Sequence, residues 1–244
     1  ITIANLSIDG QMSTYTNTNN RCIIFYKKIT KSRIQNTWVY DCKARGIYLY
    51  GSSGSENTEN SIVKNNIWNP DSICISLYYS NDNVIEGNVI NTGDNNNDAI
   101  YLSNSDYNTI GDNDITADGT GIEVNTNSNY NTVTGNVIRN YDVVSGHSDD
   151  GIQILADYNT ISSNVVYHKY NGIRLSSSGS TVSGNVVRDT AGYGIYIIGD
   201  ANSITGNEFH DCDGETGKGV VYFSGADYNT FVGNVLYYVV NQHG

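Results

Sequence analysis

Gly151-Ile152-Gln153-Ile154-Leu155-Ala156-Asp157-Tyr158-Asn159-Thr160-Ile161-Ser162-Ser163-Asn164-Val165-Val166 is the stretch that decides the fold, because most of the chain repeats it with variations. A Gly-Ile-x-Leu-like start followed by Asn-Thr-Ile-x-Gly-Asn-Val-Ile recurs from about residue 21 to the C-terminus. The first inward aliphatic of each repeat is expected at Ile24, Ile47, Ile75, Ile100, Ile122, Ile152, Ile173, Ile195 and Val221, in steps of 21 to 30 residues. That period signals a solenoid. The segments alternate β-branched apolar with polar residues, so they read as short strands, and Gly and Asn at the joints supply tight turns. Such a coil cannot bury its own inner face and must stack on its neighbours in parallel, at about 4.8 Å per coil.

A second column fixes the register independently. Asn65, Asn88, Asn113, Asn136, Asn164, Asn185, Asn207 and Asn234 stand three residues after the aliphatic that opens the second strand, with Thr37 in the first coil. Identical stacked amides can hydrogen-bond along the axis. These repeats resemble those of right-handed β-helix proteins of the carbohydrate-processing group, which includes pectate lyases, polygalacturonases, mannuronan epimerases, periplasmic NosD-like proteins and archaeal disaggregatases. The resemblance implies an all-β, single-stranded right-handed parallel β-helix of about nine coils, with a substrate groove along one outer face.

At 244 residues the unbroken repeat makes one solenoid domain, with residues 1–20 as a partial first coil. An open solenoid end needs cover, so further chain, a capping domain or an oligomer contact is expected there. Lys and Arg number 13 against 25 acidic residues, a net charge of −12. That surface repels phosphate backbones and argues against a nucleic-acid partner. No apolar run is long enough to cross a bilayer. Low Lys, abundant Asn, Tyr, Ser and Thr, and the polysaccharide resemblance together point to a secreted or cell-surface setting. Cys22, Cys42, Cys74 and Cys212 lack the C-x-x-C spacing of a zinc site. Cys22 and Cys42 are near enough in the stack to bridge, although buried free thiols are the preferred reading, since spacing alone does not establish bridging geometry.

Departures from the repeat single out the candidate site. Asn81, Asp106, Asn129, Asp157, Asp200 and Asp227 share a turn column and read as turn formers bonding the backbone two residues on. Tyr107, Tyr130, Tyr158 and Tyr228 read as an exposed stacked row. The outward column Tyr48, Ser76, Tyr101, Glu123, Gln153, Arg174, Tyr196 and Tyr222 differs, with tyrosines at both ends and an acid, an amide and a base between. Aromatic faces suit the CH surface of a sugar, and the polar trio supplies directed hydrogen bonds. Loops point to the same face, because Asn88 to Ile100 spans twelve residues and Asn136 to Ile152 sixteen, where most coils use nine or ten.

Those long loops end in Asn97-Asp98 and in His147-Ser148-Asp149-Asp150. Asp98 and Asp150 stand two residues before an inward Ile, two coils apart, so their backbones lie about 10 Å from each other. Carboxyls leaning together across that gap suit a general acid and a water-activating base, and Asp149 adds like charge that raises a pKa. The two segments look like the Asn-Thr-Asp and Asp-Asp-Cys segments of polygalacturonase-type glycoside hydrolases, a likeness that makes Asp98, Asp149 and Asp150 the catalytic carboxylates. The spacing differs by one coil, and neither Gly-His-Gly nor Arg-x-Lys follows. Tyr101, Glu123, His147, Gln153, Lys169, Tyr170, Arg174 and Tyr196 are the expected substrate contacts. The expected activity is an endo-acting glycoside hydrolase that needs no cofactor. A lyase or epimerase using Lys169 or Tyr170 with Arg174, Ca²⁺ held by the three aspartates, and a non-catalytic glycan-binding or spacer β-helix are the alternatives.

Overall fold

The computed structural model describes residues 1–11, 20–93, 96–141, 149–212 and 219–237. Each coil runs through three short strands, as in Asp150–Ile154, Thr160–Ser162 and Val165–Tyr167. Equivalent strands of successive coils pair in parallel, building sheets of nine, ten and ten strands, with a small two-stranded sheet at 57–58 and 80–81. In coil order these are the first, second and third sheets. The opening strands Thr2–Ala4 and Ser7–Asp9 pair with Arg33–Gln35 and Trp38–Tyr40, so they start the second and third sheets.

The strands form where they do because every second side chain finds apolar neighbours along the axis. Ile152, Ile154, Ile161 and Val166 of one coil are fully buried, and each lies over its counterpart in the next, as Ile152 over Ile173. Burying such a side chain contributes roughly 1.5–3 kcal/mol. The expected register holds from Ile47 onward but is off by one residue in the preceding coil. There Ile23 and Phe25 point inward, and Ile24 pairs with outward Tyr48 and is exposed. Two adjacent isoleucines satisfy either phase of a period-two pattern, and only pairing with Ile47 breaks the tie.

The asparagine column lies inside the stack. The Oδ1 of Asn136 accepts from both the backbone N–H (3.1 Å) and the Nδ2 (2.9 Å) of Asn113, while its own Nδ2 donates to the Ile110 carbonyl and to Asn164 Oδ1, both at 2.9 Å. Asn65 through Asn207 are buried, and Asn234 is half-exposed. A second ladder went unread in the sequence. Asn60, Asn83, Asn108, Asn131 and Asn159 link backbone N–H to Oδ1 in the same manner at the preceding corner. The aspartate column is a ladder too, and this corrects the expected turn chemistry. Asn81, Asp106 and Asn129 each offer Oδ1 to the backbone N–H of the equivalent residue one coil on, rather than to their own chain two residues on. Tyr107, Tyr130 and Tyr158 stack at 5.1 and 5.4 Å, but Gly179 and Ala201 interrupt the column before Tyr228.

The residue before each ladder asparagine adopts a left-handed conformation. Glycine fills that position at 87, 135, 184, 206 and 233, whereas Ser163 is held there at φ 57°. An L-residue in this region costs roughly 1–2 kcal/mol, partly offset by the unfolded-state freedom that glycine adds. Ser163→Gly is therefore expected to stabilise by about 0.5–1 kcal/mol, read as a rise in Tm; a fall would show that the Ser163 side chain contributes more than its backbone costs.

Cys22 and Cys42 form a disulfide, with Cα atoms 5.7 Å apart, in place of the expected free thiols. Coil stacking brings residues 20 apart in sequence to bridging distance. Cys74 and Cys212 are free and buried. No helix of the described residues is long and apolar enough to cross a membrane.

Candidate active site

The first sheet carries the outward column in the expected order. Ser76 pairs with Tyr48 and Tyr101, then Glu123, Gln153, Arg174, Tyr196 and Tyr222 follow coil by coil. Asp98 enters this face from the corner before its strand, where its Oδ1 accepts the Thr120 N–H at 3.1 Å. That anchor turns the carboxyl toward the next coil.

The carboxyl groups of Asp98 and Glu123 come within interaction range of one another, so that each perturbs the other's charge. Glu123 is pushed up to about 7, by burial first and by the Asp98 charge second. Burial also raises Asp98, the Thr120 N–H opposes that rise, and the charge of Asp149 adds to it. Glu123 thus keeps its proton up to about pH 7. Asn125 Nδ2 holds the pair in place, donating to Glu123 Oε1 (2.6 Å) and to the Tyr101 hydroxyl (3.0 Å). Asn125 was not foreseen, although its position two residues beyond Glu123, hence on the same strand face, was a usable signal.

Asp98 and Asp150 make no carboxyl contact with one another, and the carboxyl that Asp98 meets is that of Glu123, one coil on. Both occupy the same column, with Thr120 between them, but one coil step of about 4.8 Å permits carboxyl contact and two steps do not. Asp150 is completely buried, accepts from Asn171 Nδ2 at 2.8 Å, and leaves Oδ2 without a hydrogen bond, 3.9 Å from Arg174 Nη1. Burial drives Asp150 up to about 6. Asp149 is half-buried, and Asn96, with its amide nitrogen facing the carboxylate, donates to both oxygens at 3.1 Å.

Lys169 is not a substrate contact. Its side chain is 1 % exposed, and its ammonium donates to the carbonyls of Ala117 (3.0 Å) and Gly119. Burial lowers it to about 8. It ties the corner near 169 to one two coils earlier. Tyr170 is half-buried, its N–H bonded to the Asp149 carbonyl. Gln153 sits between Glu123 and Arg174, and Arg174 lies 5.7 Å from the ring of Tyr196. His147 lies outside the described residues. At the other end of the face, the guanidinium groups of Arg45 and Arg21 lie 4.5 and 5.2 Å from the Tyr48 ring. Their Nε atoms are buried without a hydrogen-bond partner, and neither joins an ion pair among the described residues.

Glu123 and Asp150 have folded pKa values above their ordinary 4.5 and 3.8. The fold therefore holds protons that the unfolded chain releases, and their contribution to stability is lost as pH rises through about 6 and 7. Tm is expected to be higher at pH 5 than at pH 8. Relief of the net −12 charge acts in the same direction, so Asp150→Asn is the control, and it should flatten part of the slope. An unchanged slope would show that Asp150 is not protonated in the fold.

A profile described as periplasmic copper-binding protein (NosD) matches residues 2–153, and one described as right handed beta helix region matches residues 91–236. The chain belongs to the NosD-type right-handed β-helix family. No curated protein matches the sequence of this NosD-type chain. Among solved structures, it resembles the Dettilon tailspike protein, with 22 % identity and a TM-score of 0.59 over 97 % of this chain and 54 % of that one. It also resembles DFA-IIIase from Arthrobacter chlorophenolicus A6 without its lid, at 15 % and 0.72 over 97 % and 65 %. Alginate lyase from a Paenibacillus species follows at 13 % and 0.61 over 93 % and 99 %. The NosD-type chain thus spans about half to two thirds of the first two relatives, and at these identities the likeness is one of fold.

The NosD description names copper, and the residues described here do not fit it. Copper favours thiolate, thioether and imidazole donors. Two of the four cysteines are bridged, and the other two are buried, with burial raising both thiols, Cys212 to about 11. Among the described residues no group of three or more His, Cys, Asp or Glu side chains is arranged around a metal position, so the aspartates expected as a Ca²⁺ cage do not converge into one.

Proposed function

We propose that this β-helix is a polysaccharide-processing enzyme, and that its chemistry is glycosidic hydrolysis at the Asp98–Glu123 pair. The observation that carries this reading is the convergence of two half-buried carboxyls on an outward face, Asp98 anchored by the Thr120 N–H and Glu123 by Asn125 Nδ2, with burial and the Asp98 charge pushing Glu123 up to about 7. Glu123 is the general acid for the leaving oxygen, and Asp98 is the base that activates water. With Asp98 as the base, the two carboxyls must stand about 6.5–9.5 Å apart to leave room for the water, so entry of the sugar and water must open the pair. Asp149, Gln153, Arg174, Tyr101 and Tyr196 line the same face as positioning and binding groups. Buried Asp150 supports them from beneath.

Arg21 and Arg45, which join no ion pair among the described residues, favour a substrate with anionic groups at that end of the face. The Cys22–Cys42 bridge supports an oxidising compartment, in keeping with an extracellular or cell-surface setting. The test is incubation with polygalacturonate, alginate, inulin and bacterial O-chain polysaccharide, recording new reducing ends and the absorbance of unsaturated products. Reducing ends without unsaturation are expected. Unsaturated products would establish a lyase instead, and binding without either product would establish a glycan-binding module.

A further inference from the structure

The third sheet presents a different outward surface. Trp38 and Trp68 are 56 % and 55 % exposed on adjoining coils, and strand register makes them diagonal neighbours, since Trp38 pairs with Asn66 and Tyr40 with Trp68. Diagonal neighbours stand about 7–8 Å apart. A cleft of about 460 Å³ lies on one side, lined by Ser7, Trp38, Tyr40, Asp41 and Trp68. A second, of about 180 Å³, continues on the other side past Asn66, Asn91, Asp114 and Arg139.

Ring orientation separates these indoles from the tyrosine rows. Tyr26, Tyr50 and Tyr78 stack face to face at 5.4 Å, as do Tyr107, Tyr130 and Tyr158, so their faces are spent on one another and mainly edges remain. Among the described residues, neither Trp38 nor Trp68 makes a ring contact with an aromatic or a cation. Among the described residues no other ring covers their faces, both indoles line the two clefts, and the amides of Asn66 and Asn91 stand in the second cleft to meet hydroxyls.

We propose that Trp38 and Trp68 form a second glycan-binding site, for an uncharged polysaccharide, on a face separate from the carboxyl pair. The local charge selects the class. Arg139 is ion-paired to Asp114, and the remaining charged group lining the clefts is Asp41, so the surface is acidic and repels polyanions. An uncharged sugar stacks its CH face on indole and places hydroxyls against Asn66 and Asn91. The site holds a polysaccharide surface close to the rod and does not rest on the hydrolase reading.

These are the two tryptophans of the chain, so indole fluorescence reports on this site without labels. The chain is titrated with a soluble β-glucan, with N-acetylglucosamine oligomers, with inulin and with polygalacturonate. A saturable emission change with at least one of the three neutral probes, and none with polygalacturonate, is expected. In affinity electrophoresis through the responding glycan, Trp68→Ala should weaken retention at least about tenfold, Trp68→Phe should largely restore it, and Tyr130→Ala, in the stacked tyrosine row, should leave it unchanged. No saturable change with any neutral probe overturns the proposal. So does a response to polygalacturonate alone, or an emission that varies with protein concentration in the absence of glycan, which would mark a self-association surface. The wild-type titration decides even where a variant fails to fold.

Discussion

Glu123→Gln should reduce the rate of reducing-end formation by about 10²–10⁴-fold on the responsive polysaccharide, with binding to the same polymer nearly intact. The amide keeps the shape of the side chain and its contact with Asn125, but it has no proton to give the leaving oxygen at a useful pKa. Because Glu123 must be protonated to act, wild-type activity should fall as pH rises through about 7. Asp98→Asn removes the neighbouring charge that helps hold Glu123 up. The residual activity of that variant should therefore lose its alkaline limb at lower pH than the wild type. Asp150→Asn should change stability against pH far more than turnover, since its carboxyl is enclosed. Wild-type turnover by Glu123→Gln would remove this pair from the chemistry, and an unshifted limb in Asp98→Asn would remove their coupling.

Asn136→Leu should cost about 3–5 kcal/mol, a fall in Tm of roughly 10 °C. Leucine fills the space, but the buried N–H of Asn113 loses its acceptor, the Ile110 carbonyl loses a donor, and Asn113 Nδ2 loses one of two partners. Each buried group left unpaired costs about 1–3 kcal/mol. The same change at Asn234 should cost much less, because that residue is half-exposed and water can replace its amide. Equal losses at the two positions would mean that ladder hydrogen bonds are not what the interior asparagines contribute.

The fold could be read from the sequence because in a solenoid each element meets its own equivalent one repeat away. Spacing along the chain then predicts neighbours in space. Ile152 over Ile173 and Asn136 beneath Asn164 follow from repetition alone, and so does the outward order Tyr101, Glu123, Gln153, Arg174. Hydrophobic phase was ambiguous only where Ile23 and Ile24 adjoin. The second asparagine ladder was equally present in the sequence, at Asn83, Asn108 and Asn131, and was missed because the neighbouring column already accounted for the abundance of Asn.

What repetition cannot carry is the direction of a side chain that breaks the repeat, and the candidate site consists of such residues. Composition marked Asp98, Glu123, Asp149, Asp150 and Lys169 as exceptional. Only the corner geometry turns Asp98 toward Glu123 in the next coil, encloses Asp150 against Asn171, and threads Lys169 beneath the surface to carbonyls two coils away. The disulfide is of the same kind, since its Cα separation depends on how two corners approach. Periodicity sets which coil a residue occupies to within one step of about 4.8 Å, whereas hydrogen bonding and proton sharing are decided over a fraction of that distance, by packing that the repeat does not encode.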